Sequence, residues 1–214
     1  MLWASNLKAL PDITSLLRLC QSLAMLDAIL EREWELRYHS FNARWDKGSM
    51  LASTRDGAGD ELFVLFDAAG AIAKGFAHEA PMSPYRVHPP RVWPGVLDDV
   101  PAQFARFLAE PAFSPDDATF CFWRTASDTR WQRGGIEFPD DPDPDGSRHL
   151  LFLFDGNPST YREWAQDYYE RPVDLAAVRQ LYDHEPLSLS LIRQLNPAVS
   201  PGELAPDQEE IGYP

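Results

Sequence analysis

The stretch Glu61–Ala80, ELFVLFDAAGAIAKGFAHEA, decides the fold. Two apolar runs, 61–67 and 71–78, flank Asp67-Ala-Ala-Gly70, a short connection with a glycine at its end, and the whole reads as a β-hairpin. Its exit carries the adjacent pair His78 and Glu79 in an otherwise apolar strand. Upstream, residues 34–45 (WELRYHSFNARW) alternate with period two. Trp34, Leu36 and Tyr38 share one phase and Phe41, Ala43 and Trp45 the other, so a bulge or break is expected near His39-Ser40. A turn at Asp46-Lys-Gly48, a strand at 49–55 and a polar loop at 55–60 complete four consecutive strands with short connections, an antiparallel meander.

The flanks add helices and a second strand group. Leu16, Leu19, Leu23, Leu26 and Leu30 recur at helical spacing, predicting an amphipathic helix over 12–31 with Arg18, Gln21, Asp27 and Glu31 off the apolar stripe. The six prolines between Pro81 and Pro101 forbid a central strand, yet Met82, Tyr85, Val92, Trp93, Val96 and Leu97 predict a packed irregular segment. A short helix is expected at 101–109, and strands at 118–125, 130–138 and 148–155. Residues 38–67 and 118–155 share an order of aromatic strand, turn, strand, acidic-glycine loop and apolar strand ending in Asp, which suggests two similar three-stranded units. Asn157-Pro158, Asp174 and Ser188 are helix starts, predicting helices at 158–169, 174–183 and 188–195, and the acidic tail 197–214 is expected to be exposed except for Ile211 and Tyr213. The reading is one α+β domain over 1–214, with an antiparallel sheet of about seven strands in two groups, an N-terminal helix and a C-terminal helical cap.

Composition narrows the function. The chain has 33 acidic against 19 basic residues, a formal charge of −14, and no Lys/Arg cluster, which disfavours nucleic acid and anionic membranes. Cys20 and Cys121 make neither a disulfide framework nor a metal motif. The N-terminal apolar stretch is broken by Lys8, Pro11, Asp12 and Arg18, so neither a secretory signal nor a membrane span is expected, and a reducing bacterial cytoplasm is. No G-x-G-x-x-G, P-loop, H-E-x-x-H, G-x-S-x-G or paired C-x-x-C occurs. No cofactor and no metal is therefore expected.

Candidate site residues gather where the hairpin enters the proline-rich loop: His78, Glu79, Tyr85, Trp93, Asp98 and Asp99. Within one strand His78 and Glu79 would point to opposite faces and could not act as a couple. Asp98-Asp99 precedes a helix, whose positive end carboxylates suit. Asp141-Pro-Asp-Pro-Asp-Gly146 matches the opening of a calcium loop, but the twelfth position, which should be a bidentate carboxylate, is Phe152. Three residue classes thus point to no named reaction.

The segments KGFAHEAPMSPY (74–85), WPGVLDDVP (93–101), FCFWR (120–124), LFDGNPSTYREWAQDYYE (153–170) and EEIGYP (209–214) together resemble an uncharacterised bacterial protein family, and this resemblance implies no assigned activity. In its acidity and aromatic content the chain is also similar to the immunity proteins of bacterial toxin systems. That likeness implies a non-enzymatic protein-binding module that engages a basic partner through acidic surface and the 81–100 loop. The alternative is a small-molecule-binding protein or enzyme with a pocket at the end of the strand 71–78.

Overall fold

A computed structural model describes residues 3, 4 and 6–214. The meander forms and stands at the centre of the molecule, but its first strand starts at His39 and its register breaks between Asn42 and Asp46, not near His39-Ser40. Strands β1 (His39–Asp46), β2 (Ser49–Arg55), β3 (Glu61–Asp67), β4 (Gly70–Phe76) and β5 (Phe120–Thr125) make one antiparallel sheet in the order β1-β2-β3-β4-β5. The β3–β4 hairpin runs in register from Glu61 opposite Phe76 to Asp67 opposite Gly70. Gly70 has φ +137°, and a Cβ there would lie 2.2 Å from the Arg124 carbonyl oxygen, so only glycine closes this turn against β5.

Alternation sorts the sheet into two faces. Phe41, Ala52, Leu62, Val64, Phe66, Ala71, Ala73, Phe120 and Phe122 lie in one core with helix α1 (Ile13–Leu30) and the C-terminal helices. Leu51, Phe63, Ile72, Cys121 and Trp123 lie in the other, covered by Met82, Val96, Phe104, Phe107 and Phe113. The proline-rich segment is therefore packed irregular chain, as its apolar residues required. The second face is unevenly covered, and the gap over β1 and β2 makes the cleft described below.

Helix α1 departs from the amphipathic reading. Every residue from Leu19 to Leu30 is buried, because the helix is clamped between the sheet and helices α5 (Leu175–Tyr182), α6 (Leu189–Leu195) and α7 (Pro201–Ile211). Its polar positions are internal pins. Gln21 Nε2 donates to the Ile211 and Gly212 carbonyls at 2.9 and 3.1 Å, and Ser22 Oγ donates to Leu181 O at 2.7 Å. Fully buried Asp27 accepts from His39 N–H at 2.7 Å, Tyr161 OH at 2.7 Å and pairs with His39 Nδ1 at 3.0 Å. Ile13–Leu30 is also long and apolar enough to cross a membrane by length and composition alone, with a mean hydropathy of 1.4 and 72% of it buried here.

Of the expected second strand group only 118–125 forms, as β5, and it joins the meander's sheet instead of starting another group. Residues 148–155 are helix α3 (Ser147–Leu151) followed by a 3₁₀ turn at Phe152–Asp155, and together they wind Leu150, Leu151, Leu153 and Phe154 into the core. A short apolar run buried on all sides has no periodicity that separates strand from helix. Residues 130–138 contribute only a bridge between Gln132 and Trp123, since Gly134 packs against the backbone of Gly95 and Asp98, where a Cβ would sit 2.0 Å from Gly95 O. The two-unit repeat falls with them. Likewise 34–36 is a 3₁₀ turn ahead of β1, and the expected helix 101–109 is a 3₁₀ turn leading into the four-residue α2 (Ala105–Leu108).

The helices α4 (Pro158–Tyr168), α5 and α6 fall where their caps placed them. Asn157, Asp174 and Ser188 each accept from a first-turn N–H. The tail is less exposed than its charge suggested: α7 starts in a capping box of Ser200 and Glu203, and Leu204, Ile211 and Tyr213 are buried. Asp207 on α7 holds Arg32 and Arg37 at 2.8 and 2.6 Å. Both cysteines are buried and unpaired, and burial pushes the Cys121 thiol up to about 12.

Candidate functional site

The second sheet face carries polar residues where its neighbours are apolar. Ser40 on β1 and Ser53 on β2 are register partners, and their hydroxyl oxygens stand 2.6 Å apart. Arg55 follows two residues on, on the same face, with its guanidinium carbon 5.4 Å from the Phe63 ring centre and 5.8 Å from that of Trp34. Among the described residues, no carboxylate oxygen lies within 4.0 Å of that guanidinium; Glu61, its register partner on β3, feels its charge at longer range, while other cations nearby are bonded directly. Arg37, for example, bonds to the Glu31 and Arg32 carbonyls and to Asp207.

These groups floor a cleft in two connected parts. One, of about 170 Å³, runs along edge strand β1 between Trp34, Trp45 and Phe113. The other, of about 460 Å³, is enclosed by the 34–38 turn, Asp56–Ala58 and Tyr168. Trp34, Arg37, Ser40, Ser53 and Arg55 border both. The wall is aromatic: Tyr38 and Tyr168 pack on Trp164 with ring centres 4.9 and 5.0 Å away, the latter stacked. Burial, and the charges of Asp56 and Tyr168 next, push the Tyr38 hydroxyl well above its ordinary range, so it stays a hydrogen-bond donor.

Beside the cleft, the β2–β3 loop builds a second polar cluster. Asp56 Oδ1 accepts from the backbone N–H groups of Ala58, Gly59 and Asp60 at 2.8, 3.1 and 2.9 Å, which winds the loop tightly. Asp60 Oδ1 accepts from His78 N–H at 2.7 Å and meets His78 Nδ1 at 2.5 Å. That contact raises the His78 imidazole above its ordinary value, against the opposing effect of desolvation. The remaining oxygens turn towards α3, where His149 Nε2 stands 3.4 Å from Asp60 Oδ2 and 3.9 Å from Asp56 Oδ2. The three groups present one ligand atom each, all within 4.8 Å of one another.

The six residues singled out from the sequence do not converge. β4 ends at Phe76, so His78 and Glu79 lie in the turn beyond it and are not bound by strand alternation; His78 Nε2 is 3.9 Å from Glu79 Oε1. His78 itself is part of the cluster above. Tyr85 is exposed and donates to Asp117 Oδ1 at 2.8 Å. Trp93 and Asp98 line a different groove of about 980 Å³, where Trp93 Nε1 donates to Glu137 O and Asp98 Oδ2 accepts from Gly95 N, so both polar ends are spent on backbone. Asp98 thus closes a turn and does not cap a helix. Asp99 is exposed with φ +63°. In the Asp141–Gly146 loop, Asp143 and Asp145 accept from Arg148 N and Ser147 N, and burial raises both carboxyls.

Arg55, Ser40, Ser53, Asp56, Asp60 and His149 were not singled out from sequence. A signal for the first three existed, since polar side chains alternate in phase with Leu51 and Asn42 on one strand face. No sequence signal joins Asp60 to His149, which is 89 positions away by numbering. No protein-family model, curated protein or solved structure matches this chain.

Proposed function

We propose that the protein binds a small organic anion with a flat ring in the cleft over β1 and β2. The observation that carries this reading is Arg55: an exposed guanidinium beside Trp34 and Phe63 that, among the described residues, has no carboxylate oxygen within 4.0 Å, its cross-strand neighbour Glu61 acting at longer range, on the face that carries the Ser40–Ser53 hydroxyl pair, in a chain of net charge −14. A guanidinium so placed matches a carboxylate or phosphate group, the hydroxyls add further hydrogen bonds, and the Trp34 face takes a ring. This develops the small-molecule reading of the sequence but moves the pocket from the 71–78 strand end to the neighbouring strands.

Calorimetric titration with benzoate, phenyl phosphate and adenosine monophosphate tests it. A charge-assisted hydrogen bond is worth about 1.5–3 kcal/mol, so Arg55→Met should weaken a bound probe by about 10- to 150-fold. Equal affinity in wild type and Arg55→Met would refute the assignment.

A partner-binding module of the immunity kind is the second reading. It is favoured by Trp34, Leu36 and Tyr168, which border the larger cavity and are 50%, 53% and 39% exposed, together with the acidity that suits a basic partner. A stoichiometric basic protein captured by wild type and lost with Leu36→Asp supports this second reading over the first.

A further inference from the structure

We infer that Asp56, Asp60 and His149 bind a zinc ion at the mouth of the β2–β3 loop. The donor set is two carboxylate oxygens and one imidazole nitrogen, which suits a borderline first-row cation better than calcium or magnesium, whose sites are built from oxygen alone. Spacing agrees. With zinc–ligand bonds of about 2.0–2.1 Å, ligand atoms around a tetrahedral ion lie about 3.4 Å apart. His149 Nε2 is 3.4 Å from Asp60 Oδ2 and 3.9 Å from Asp56 Oδ2, and all three ligand atoms lie within 4.8 Å of one another, so side-chain adjustment of about an ångström seats the ion.

The two carboxylates are also aimed. Each uses Oδ1 on groups that are not ligand atoms, Asp56 on the backbone N–H groups of Ala58, Gly59 and Asp60 and Asp60 on His78, and each leaves Oδ2 for the ion. Outer hydrogen bonds of this kind orient ligands and tune a bound metal. Asp60 is 7% exposed, so its carboxylate is placed by the fold and not by chance at the surface. Three protein ligands leave a fourth position open, the arrangement in which zinc holds water or a substrate atom. Asp56 belongs to the wall of the 460 Å³ cavity, which puts that position at the margin of the cleft. The zinc site uses none of Trp34, Ser53 or Arg55, so it stands or falls apart from the anion reading.

Calorimetric titration of the full chain with Zn²⁺, Mn²⁺, Mg²⁺ and Ca²⁺ tests it, with His149→Gln and Asp60→Asn as variants. His149 is half exposed, so its variant should melt as wild type does and serves as the fold control. One equivalent of Zn²⁺ is expected, bound at least about tenfold more weakly in each variant. Three results overturn the assignment: no saturable Zn²⁺ binding below 1 mM, binding unchanged in both variants, or a preference for Ca²⁺ or Mg²⁺.

Discussion

Removing the Asp27 carboxylate should cost this protein a large part of its stability. Asp27 is 0% exposed and accepts from three donors: the His39 N–H, the His39 ring and the Tyr161 hydroxyl. It ties the start of β1 to α1 and α4, and the 34–38 turn that walls the cleft hangs from that same strand start. Asp27→Ala leaves the three donors buried and unpaired. Each stranded donor costs about 1–3 kcal/mol, so for three donors a loss of about 4 kcal/mol is a conservative value. For a domain of 150–250 residues 1 kcal/mol shifts the melting temperature by about 2–4 °C, which gives a drop of about 8–16 °C. Tyr161→Phe removes one donor together with its need, and should cost about 1 kcal/mol. Differential scanning calorimetry separates the two. An Asp27→Ala variant melting within 3 °C of wild type would refute the reasoning, because the carboxylate would then be worth no more than a surface charge.

Three further outcomes follow from the same geometry. Burial raises the hydroxyls of Tyr38, Tyr161, Tyr169 and Tyr182 above their unfolded value of about 10, so the stability they confer is intact below pH 10 and is lost above it, at about 1.4 kcal/mol per pH unit for each group. Lys74, lowered by burial, works in the opposite sense but is one group against several, so circular dichroism should show a steep alkaline unfolding above pH 11, and an unchanged melt at pH 12 would contradict it. Gly75→Ala places a Cβ 2.0 Å from Phe120 Cζ, so urea unfolding should show a loss of about 2 kcal/mol that Phe120→Leu partly restores. Trp34→Ala, at a half-exposed residue, should change stability by no more than about 0.5 kcal/mol, and a melting loss above 5 °C would mark Trp34 as structural and not as part of a binding wall.

The meander was legible because its strands are short alternating or continuously apolar runs separated by turns with their own chemistry: Asp46-Lys-Gly48, Asp56–Asp60, Asp67–Gly70. The C-terminal helices were legible from their caps at Asn157, Asp174 and Ser188. What escaped were elements defined by tertiary surroundings. Gln21, Ser22 and Asp27 look like the polar side of a surface helix until α5 and α7 close over them, and Leu150–Phe154 is apolar at every position, with all but Phe152 buried. Lys74 is a similar case, a charged residue of β4 that is 1% exposed and spends its ammonium on the Phe113, Ser114 and Asp117 carbonyls. The site was hidden for a different reason. Its groups converge through strand pairing and through α3, so spacing along the chain carried no trace of His149 meeting Asp60, while His78 was visible only as half of a pair with Glu79 that the turn geometry replaces with Asp60.

The most direct measurement is a nitrogen-15 heteronuclear spectrum of the protein titrated with phenyl phosphate and benzoate, following the Trp34 Nε1–H and Arg55 Nε–H signals. The expected result is saturable shifts confined to Trp34, Ser53, Arg55 and their neighbours, absent in Arg55→Met. Shifts gathered instead around Trp93 and Asp98, or identical in wild type and Arg55→Met, would contradict an anion site over β1 and β2.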